Sequence, residues 1–290
     1  MPTNASKWRI QLAHQIAGYY PAEAVLLVGS AANGLADAWS DLDLLMYWQA
    51  VPDVATRRQI AERIGGKSIT LEDTTDGDFA LQSQGDTFRL GEHALKVDIT
   101  HKTRASVEAL MTDVTQHHDL NPIKLGVLNG FMGGMAVTGH DLLSQWREQI
   151  GDLPAEMMQP LLDRYLDLTA YDLVMMIVRR GDALFARELI TGWCTAIMMA
   201  LQVINRKYPP LRAKHLAAMC EAMAIQPEGL AKRIQQICNA PIAEAIELAK
   251  PLIEDTFSLI SQQGYDVTAA IARFQQIRLA NHRPIRLDQA

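Results

Sequence analysis

The sequence predicts an α+β protein in two parts: a small mixed β-sheet flanked by helices in residues 1–150, and an α-helical bundle in residues 151–290. Three observations carry this. Apolar runs of strand length, such as VLLVG and LDLLMYW, alternate with polar turn segments only in the first part. The stretch DTFRLGEHALKVDITH has the alternation of a hairpin, with Gly91 at its turn. From Asp152 onward every substantial segment has helical periodicity, and the breaks at Gly181, Pro209-Pro210, Pro227-Glu228-Gly229 and Pro241 suit a bundle of about five or six helices. A chain of 290 residues is long enough for two compact domains.

In chain order, SKWRIQLAHQIAGYY reads as an amphipathic helix closed by Pro21. Strands are expected near 23–29 and 41–48, with the short polar helix and turn ANGLADAWS between them. A helix near 53–65 ends at Gly65-Gly66. The polar stretch LEDTTDGDFALQSQGD is expected to be loop-rich, and the Gly91 hairpin follows it. KTRASVEALMTDVTQ and NPIKLGVLNGFMGGM are the next helices, the second with Pro122 near its start. MAVTGHD then reads as a short strand or turn and LLSQWREQI as a helix. There is no internal repeat and no low-complexity tract.

Composition narrows the classes of function. The formal net charge is −6 and no long Lys/Arg run occurs, which disfavours a long nucleic acid as partner, since phosphate neutralisation calls for a basic surface. No apolar run is read as reaching the length of a bilayer span, and MPTNASKWRIQLAHQ lacks the continuous apolar core of a signal peptide. Cys194, Cys220 and Cys238 have neither metal-ligand spacing nor a disulfide pattern. A cytoplasmic protein with no membrane association is expected.

The chemistry concentrates in VLLVGSAANGLADAWSDLDLLMYW. An apolar strand delivers Gly29-Ser30, and ten residues later a second apolar strand carries Asp41 and Asp43. Side chains alternate along a strand, so Asp41 and Asp43 share a face and can hold one divalent ion between them. Gly29 permits close backbone approach, and Ser30 adds a hydroxyl and an amide where a helix begins, a seat for phosphate. Asp-x-Asp alone is common, and helix and turn capping by Ser30 and Asp41 would account for those two. Asp43 fits that explanation poorly, because an unpaired charge inside an apolar strand is costly. A third carboxylate, Asp98, lies in EHALKVDITHK, on the second strand of the hairpin.

The spacing GS-x10-D-x-D with Asp98 resembles the signature of the DNA polymerase β-type nucleotidyltransferase superfamily. With a helical part after it, the chain looks like the two-domain aminoglycoside and lincosamide nucleotidyltransferases, through GSAANG, SDLDLL and KVDIT and, more faintly, through INRKYPPLRAKHL. The resemblance implies a nucleotidyltransferase domain in 1–150 and a helical substrate-binding domain in 151–290. It implies Mg²⁺, two ions, held by Asp41, Asp43 and Asp98, and transfer of a nucleoside monophosphate from a triphosphate, ATP being expected, to an acceptor hydroxyl with release of pyrophosphate. Gly29 and Ser30 would contact the triphosphate, and Asp98 could share the second ion or take the acceptor's proton.

From the helical part, Glu188 is the candidate for a separate base. It stands beside an apolar face expected at Phe185, Leu189 and Trp193, and it also fits a solvated carboxylate paired with Arg187. Cationic help for the triphosphate could come from Lys214, or from Arg206, Lys207 or Arg212, and Tyr208 could stack on a base; the same segment also fits a helix end stopped by Pro209-Pro210. His101 could contact substrate or sit on the strand surface. His117 and His118 point apart on a helix and are set aside as a metal pair. The expected acceptor is a small hydroxylated molecule, with an antibiotic as one possibility. A protein side chain, an RNA end, or a non-catalytic nucleotide-binding or antitoxin-like role are the alternatives. The base of the triphosphate is not legible, and either a monomer or a homodimer is expected.

Overall fold

The computed structural model describes residues 2–74 and 83–276, and the chain divides into two compact units, Met1–Gly151 and Asp152–Ala290. The α+β class expected from the sequence is the class observed. In the first unit six strands form one sheet: β1 (Ala24–Val28), β2 (Leu42–Trp48), β3 (Lys67–Thr74), β4 (Ser83–Leu90), β5 (Leu95–Thr103) and β6 (Met135–Thr138), in the order β3-β4-β5-β2-β1-β6. All neighbours are antiparallel except β2 and β5, which run parallel at the centre. The β4–β5 hairpin turns at Gly91, whose φ is +67°.

One face of the sheet is apolar. Val25 and Leu27 of β1, Leu42, Leu44 and Met46 of β2, and Val97 and Ile99 of β5 are all at most 1 % exposed. They pack with Ala13 and Ile16 of α1 (Asn4–Ala17) and Ile60 and Ala61 of α3 (Val54–Arg63). Alternation then sends Asp43, Asp98 and Lys96 to the opposite face. That face also carries Tyr47, whose ring meets Phe131 of α5 (Pro122–Met132) and Trp146 of α6 (His140–Ile150) edge-on. α2 (Gly29–Ala32) is a single turn at the end of β1, and α4 (Arg104–Thr115) follows β5.

Three expectations are corrected here. The stretch 71–86, expected to be loop-rich, contributes the end of β3 and the start of β4, while 75–82 lies outside the described residues. β3 is a sheet-edge strand, and polar side chains are what an edge strand carries. The second unit has seven helices among the described residues: α7 (Ala155–Tyr165), α8 (Tyr171–Arg179), α9 (Ala183–Ile204), α10 (Leu216–Glu221), α11 (Leu230–Asn239), α12 (Ile242–Gln262) and α13 (Thr268–Phe274). The excess over five or six comes from the short α10 and α13. Finally, α9 is long and apolar enough to cross a membrane by length and composition, contrary to the reading of the sequence. Half of its apolar stretch is buried, and it packs with α7, α8 and α12, as a bundle's central helix does.

Candidate functional site

The site lies where β1 ends and β2 and β5 begin. Asp43 and Asp98 are register partners on the parallel pair β2 and β5, so their side chains leave the same face from neighbouring strands. Asp43 is also paired with Val28, the residue before Gly29. Gly29 has φ +72°, and a Cβ built on it would lie 2.6 Å from Asp43 Oδ2. The absence of a side chain at Gly29 is what admits the Asp43 carboxylate. Asn33 Nδ2 donates to the Gly29 carbonyl at 3.0 Å and the Leu35 amide to the Ser30 carbonyl at 2.8 Å, which fixes this turn.

Asp41 immediately precedes β2 and is placed by α1. The buried Arg9 guanidinium donates through both Nε and Nη2 to the carbonyl of Ser40. Ser6 Oγ accepts from the Ala36 amide at 3.1 Å, and Thr3 Oγ1 donates to the Ala36 carbonyl at 2.6 Å. Within the loop, Asp37 Oδ1 accepts from the Trp39 amide and from Ser40 Oγ, both at 2.9 Å; the Ser40 hydroxyl holds the Asp37 carboxyl below its usual range.

Lys96 joins the acids. Its Nζ lies 2.6 Å from Asp98 Oδ2 and 3.6 Å from Asp41 Oδ2, and the bond to Asp98 holds the ammonium above its usual pKa. Thr87 Oγ1, across the strand pair on β4, donates to the other Asp98 oxygen at 2.6 Å. The side chains of Asp41, Lys96 and Asp98 are 43, 37 and 28 % exposed, open enough to meet a ligand. Neither Lys96 nor Thr87 was assigned a role from the sequence, although the spacing in KVD puts Lys96 and Asp98 on one strand face.

Two carboxylates thus bracket a cation and the third lies over Gly29. Among the described residues no three His, Cys, Asp or Glu side chains are gathered into a metal-binding group. This set nevertheless fits Mg²⁺, which typically takes one or two protein carboxylates together with substrate phosphates instead of an all-protein cage. Asp41 and Asp98 already hold a cation between them as oxygen donors.

The candidates from the helical unit stand as follows. Glu188 is exposed on α9. The buried face of that helix runs through Ala186, Ile190, Trp193, Cys194 and Ile197, not through Phe185, which is 45 % exposed. The suggested pairing with Arg187 gives way to backbone contacts, Arg187 donating to the carbonyls of Ile237 and Ala240 at the end of α11. Lys214 and Arg212 are exposed beyond Pro209-Pro210. Lys207 Nζ is bound to the Ala222 carbonyl, and Arg206 faces Asp152 at 4.0 Å. Tyr208 is 3 % exposed, its hydroxyl donates to the Asp152 carbonyl at 3.4 Å, and burial raises that hydroxyl to about 12, so its ring offers no open face to a base.

His101 is likewise interior and does not meet substrate. It is 1 % exposed, with Nδ1 accepting from Trp48 Nε1 at 3.1 Å and Nε2 2.9 Å from Asp86 Oδ2. Arg57 closes this buried chain through Nη1 to Asp86 Oδ1 at 2.6 Å. His117 makes an i, i+4 contact with Asp113 at 3.6 Å.

No protein-family model matches the chain, and no curated protein sequence matches it. Among solved structures it is similar to a nucleotidyltransferase-like protein from Exiguobacterium sibiricum 255-15, with 12 % identity and a TM-score of 0.38 over 89 % of this chain and 76 % of that one. It is also similar to Cid1 in complex with its short product ApU, with 13 % identity and a TM-score of 0.25 over 45 % of this chain and 42 % of that one. Both likenesses are remote, and neither identifies a residue or a substrate in this chain.

Proposed function

We propose that this protein is a Mg²⁺-dependent nucleotidyltransferase that moves a nucleoside monophosphate from a triphosphate, ATP first among the candidates, to a hydroxyl of a small molecule. The observation that carries the reading is the register pairing of Asp43 with Asp98 beside Gly29, with Asp41 and Asp98 converging on one cation. Asp41, Asp43 and Asp98 would hold the metal, and what Mg²⁺ supplies when bound is neutralisation of the triphosphate charge. Gly29 keeps the backbone open to a phosphate, and the Ser30 hydroxyl and amide offer donors to it.

Asp98 would act as base through Oδ2, the oxygen that Lys96 holds at 2.6 Å before ligand arrives, while Thr87 donates to its other oxygen. The acceptor hydroxyl gives its proton to that carboxylate while its oxygen bonds to the α-phosphorus. The bond from that phosphorus to the bridging oxygen breaks in line, and pyrophosphate leaves. From the helical unit, exposed Lys214 is a cation suited to the phosphates and exposed Glu188 an alternative base. A small acceptor, of which an antibiotic is one instance, accords with the net charge of −6. The three free thiols suit a reducing cytoplasm.

Titration calorimetry with ATP, GTP, CTP and UTP, with and without Mg²⁺, is the direct test. The expected result is Mg²⁺-dependent binding of at least one nucleotide, lost in Asp43→Asn. In a pyrophosphate-release screen with hydroxylated acceptors, Asp98→Asn is expected to slow turnover by about 10²-fold or more. Full-rate transfer by Asp43→Asn would remove that residue from the site.

A further inference from the structure

Lys96 stands where a cation brought to Asp41 and Asp98 would have to stand. Residues two apart on a strand share a face, but that alone does not join them, because a lysine stem is long enough to carry its ammonium to water. Here the ammonium instead turns back, 2.6 Å from Asp98 Oδ2 and 3.6 Å from Asp41 Oδ2. The other Asp98 oxygen is taken by Thr87. The Asp98 oxygen facing the site therefore already has a positive partner supplied by the chain.

One carboxylate oxygen cannot make a short contact to an ammonium and to a divalent ion at once without placing the two cations against each other. The ammonium must move when the ion binds. Lys96 is 37 % exposed on a flexible four-carbon stem, so it has somewhere to go. A bare ion would displace it into water for no return, whereas a metal–triphosphate brings phosphate oxygens with which the released ammonium can pair.

We infer that Lys96 is the resident counter-cation of this site: it neutralises Asp41 and Asp98 before ligand arrives, competes with the free divalent ion, and so favours metal–nucleotide over bare metal. This rests on the metal-nucleotide reading above. The probe is Mn²⁺ without nucleotide, followed by electron paramagnetic resonance on the full chain, for the native protein, Lys96→Met, Lys96→Arg and Arg89→Met. Arg89 is the register neighbour of Lys96 on β4 and bonds to the Ala94 carbonyl, so its removal takes one positive charge from the neighbourhood without freeing the acids.

Lys96→Met is expected to bind Mn²⁺ about tenfold more tightly than the native protein. Lys96→Arg should bind like the native protein, and Arg89→Met within about twofold of it, since the exposed Arg89 bonds to the Ala94 carbonyl and its charge is screened by water and salt. The metal-free thermal midpoint of Lys96→Met should fall and return on adding Mn²⁺, which a merely structural lysine would not do. Equal Mn²⁺ affinity in the native protein and Lys96→Met overturns the role of Lys96 and leaves the metal site standing. Absence of Mn²⁺ binding in every variant overturns the metal reading and this inference with it. Should Lys96→Met not fold, tighter Mn²⁺ binding by Lys96→Arg than by the native protein would overturn the competition, and unchanged binding would support it.

Discussion

The Asp43 carboxylate occupies the space that a side chain at Gly29 would fill, its Oδ2 only 2.6 Å from where that Cβ would be. The end of β1 and the start of β2 are therefore fitted to each other through one missing methyl group. The clashing atom is the tip of a side chain, so the fold can yield by rotating Asp43 away, and the cost then falls on the site. Gly29→Ala also places a β-carbon at φ +72°, a strain of about 1–2 kcal/mol. The expected outcome is a folded protein, slightly less heat-stable, with Mg²⁺-dependent nucleotide binding weakened at least about tenfold, or ~1.4 kcal/mol. Calorimetry beside a melting curve checks it; nucleotide binding at native strength would mean that the Asp43 position is irrelevant to ligand.

Arg9 acts on the same site from a distance. The residue is 3 % exposed and its guanidinium holds the Ser40 carbonyl, one residue before Asp41. Arg9→Met keeps the stem and removes the donors, leaving a carbonyl without its charged partner at a cost of about 1–3 kcal/mol. Amide hydrogen exchange in 36–41 should speed up and Mg²⁺-dependent nucleotide affinity should drop. Unchanged exchange in that loop would show that α1 does not hold it.

The Arg57–Asp86–His101–Trp48 chain couples α3, β4, β5 and β2 inside the first unit, and the side chains of Arg57 and Asp86 are 0 % exposed. Removing one charge strands the other in a dry interior. Arg57→Met alone is expected to cost about 3–5 kcal/mol, whereas Arg57→Met with Asp86→Leu should cost clearly less than the sum of the two single changes. Thermal unfolding of the four proteins decides it, and strict additivity would refute the coupling. Trp48 donates to His101 Nδ1, so the ring proton belongs on Nε2, a tautomer that nitrogen NMR reads directly.

These networks mark where the sequence stops being legible. The strands carrying Asp43 and Asp98 can be read because apolar residues alternate around each acid, and that alternation is what the sheet buries on one face. β3 could not be read, since KSITLEDT lies on the sheet edge and its polarity looks like that of a loop. Arg57, Asp86 and His101 are polar residues far apart in the chain, and only tertiary pairing makes a polar group an interior one. Tyr208 fails in the same way: an aromatic beside basic residues suggests a stacking surface, yet the ring is buried. Lys96 was in plain view in KVD, but spacing does not say whether an ammonium turns to an acid or to water.

Acid sensitivity supplies the last test. Lys124, at the start of α5, donates to Asp113 Oδ2 at 2.8 Å and to Asp119 Oδ2 at 2.6 Å, tying α4 to the loop after it. The bond from Lys124 holds the Asp113 carboxyl below its ordinary 3.8. A carboxyl depressed in the folded state binds protons less readily there than in the unfolded chain. Its contribution to stability is therefore complete above pH 3.8 and is lost as the pH falls through the lower folded value. Asp113 is 41 % exposed, so the effect is screened and modest. Lys124→Met should melt below the native protein at pH 7, and the gap should shrink as the pH falls below 3.8 and the Asp113 carboxylate loses its charge. Melting curves across that range check it, and a gap of the same size at pH 7 and pH 2 would show that Lys124 supports the loop by packing its stem and not by charge.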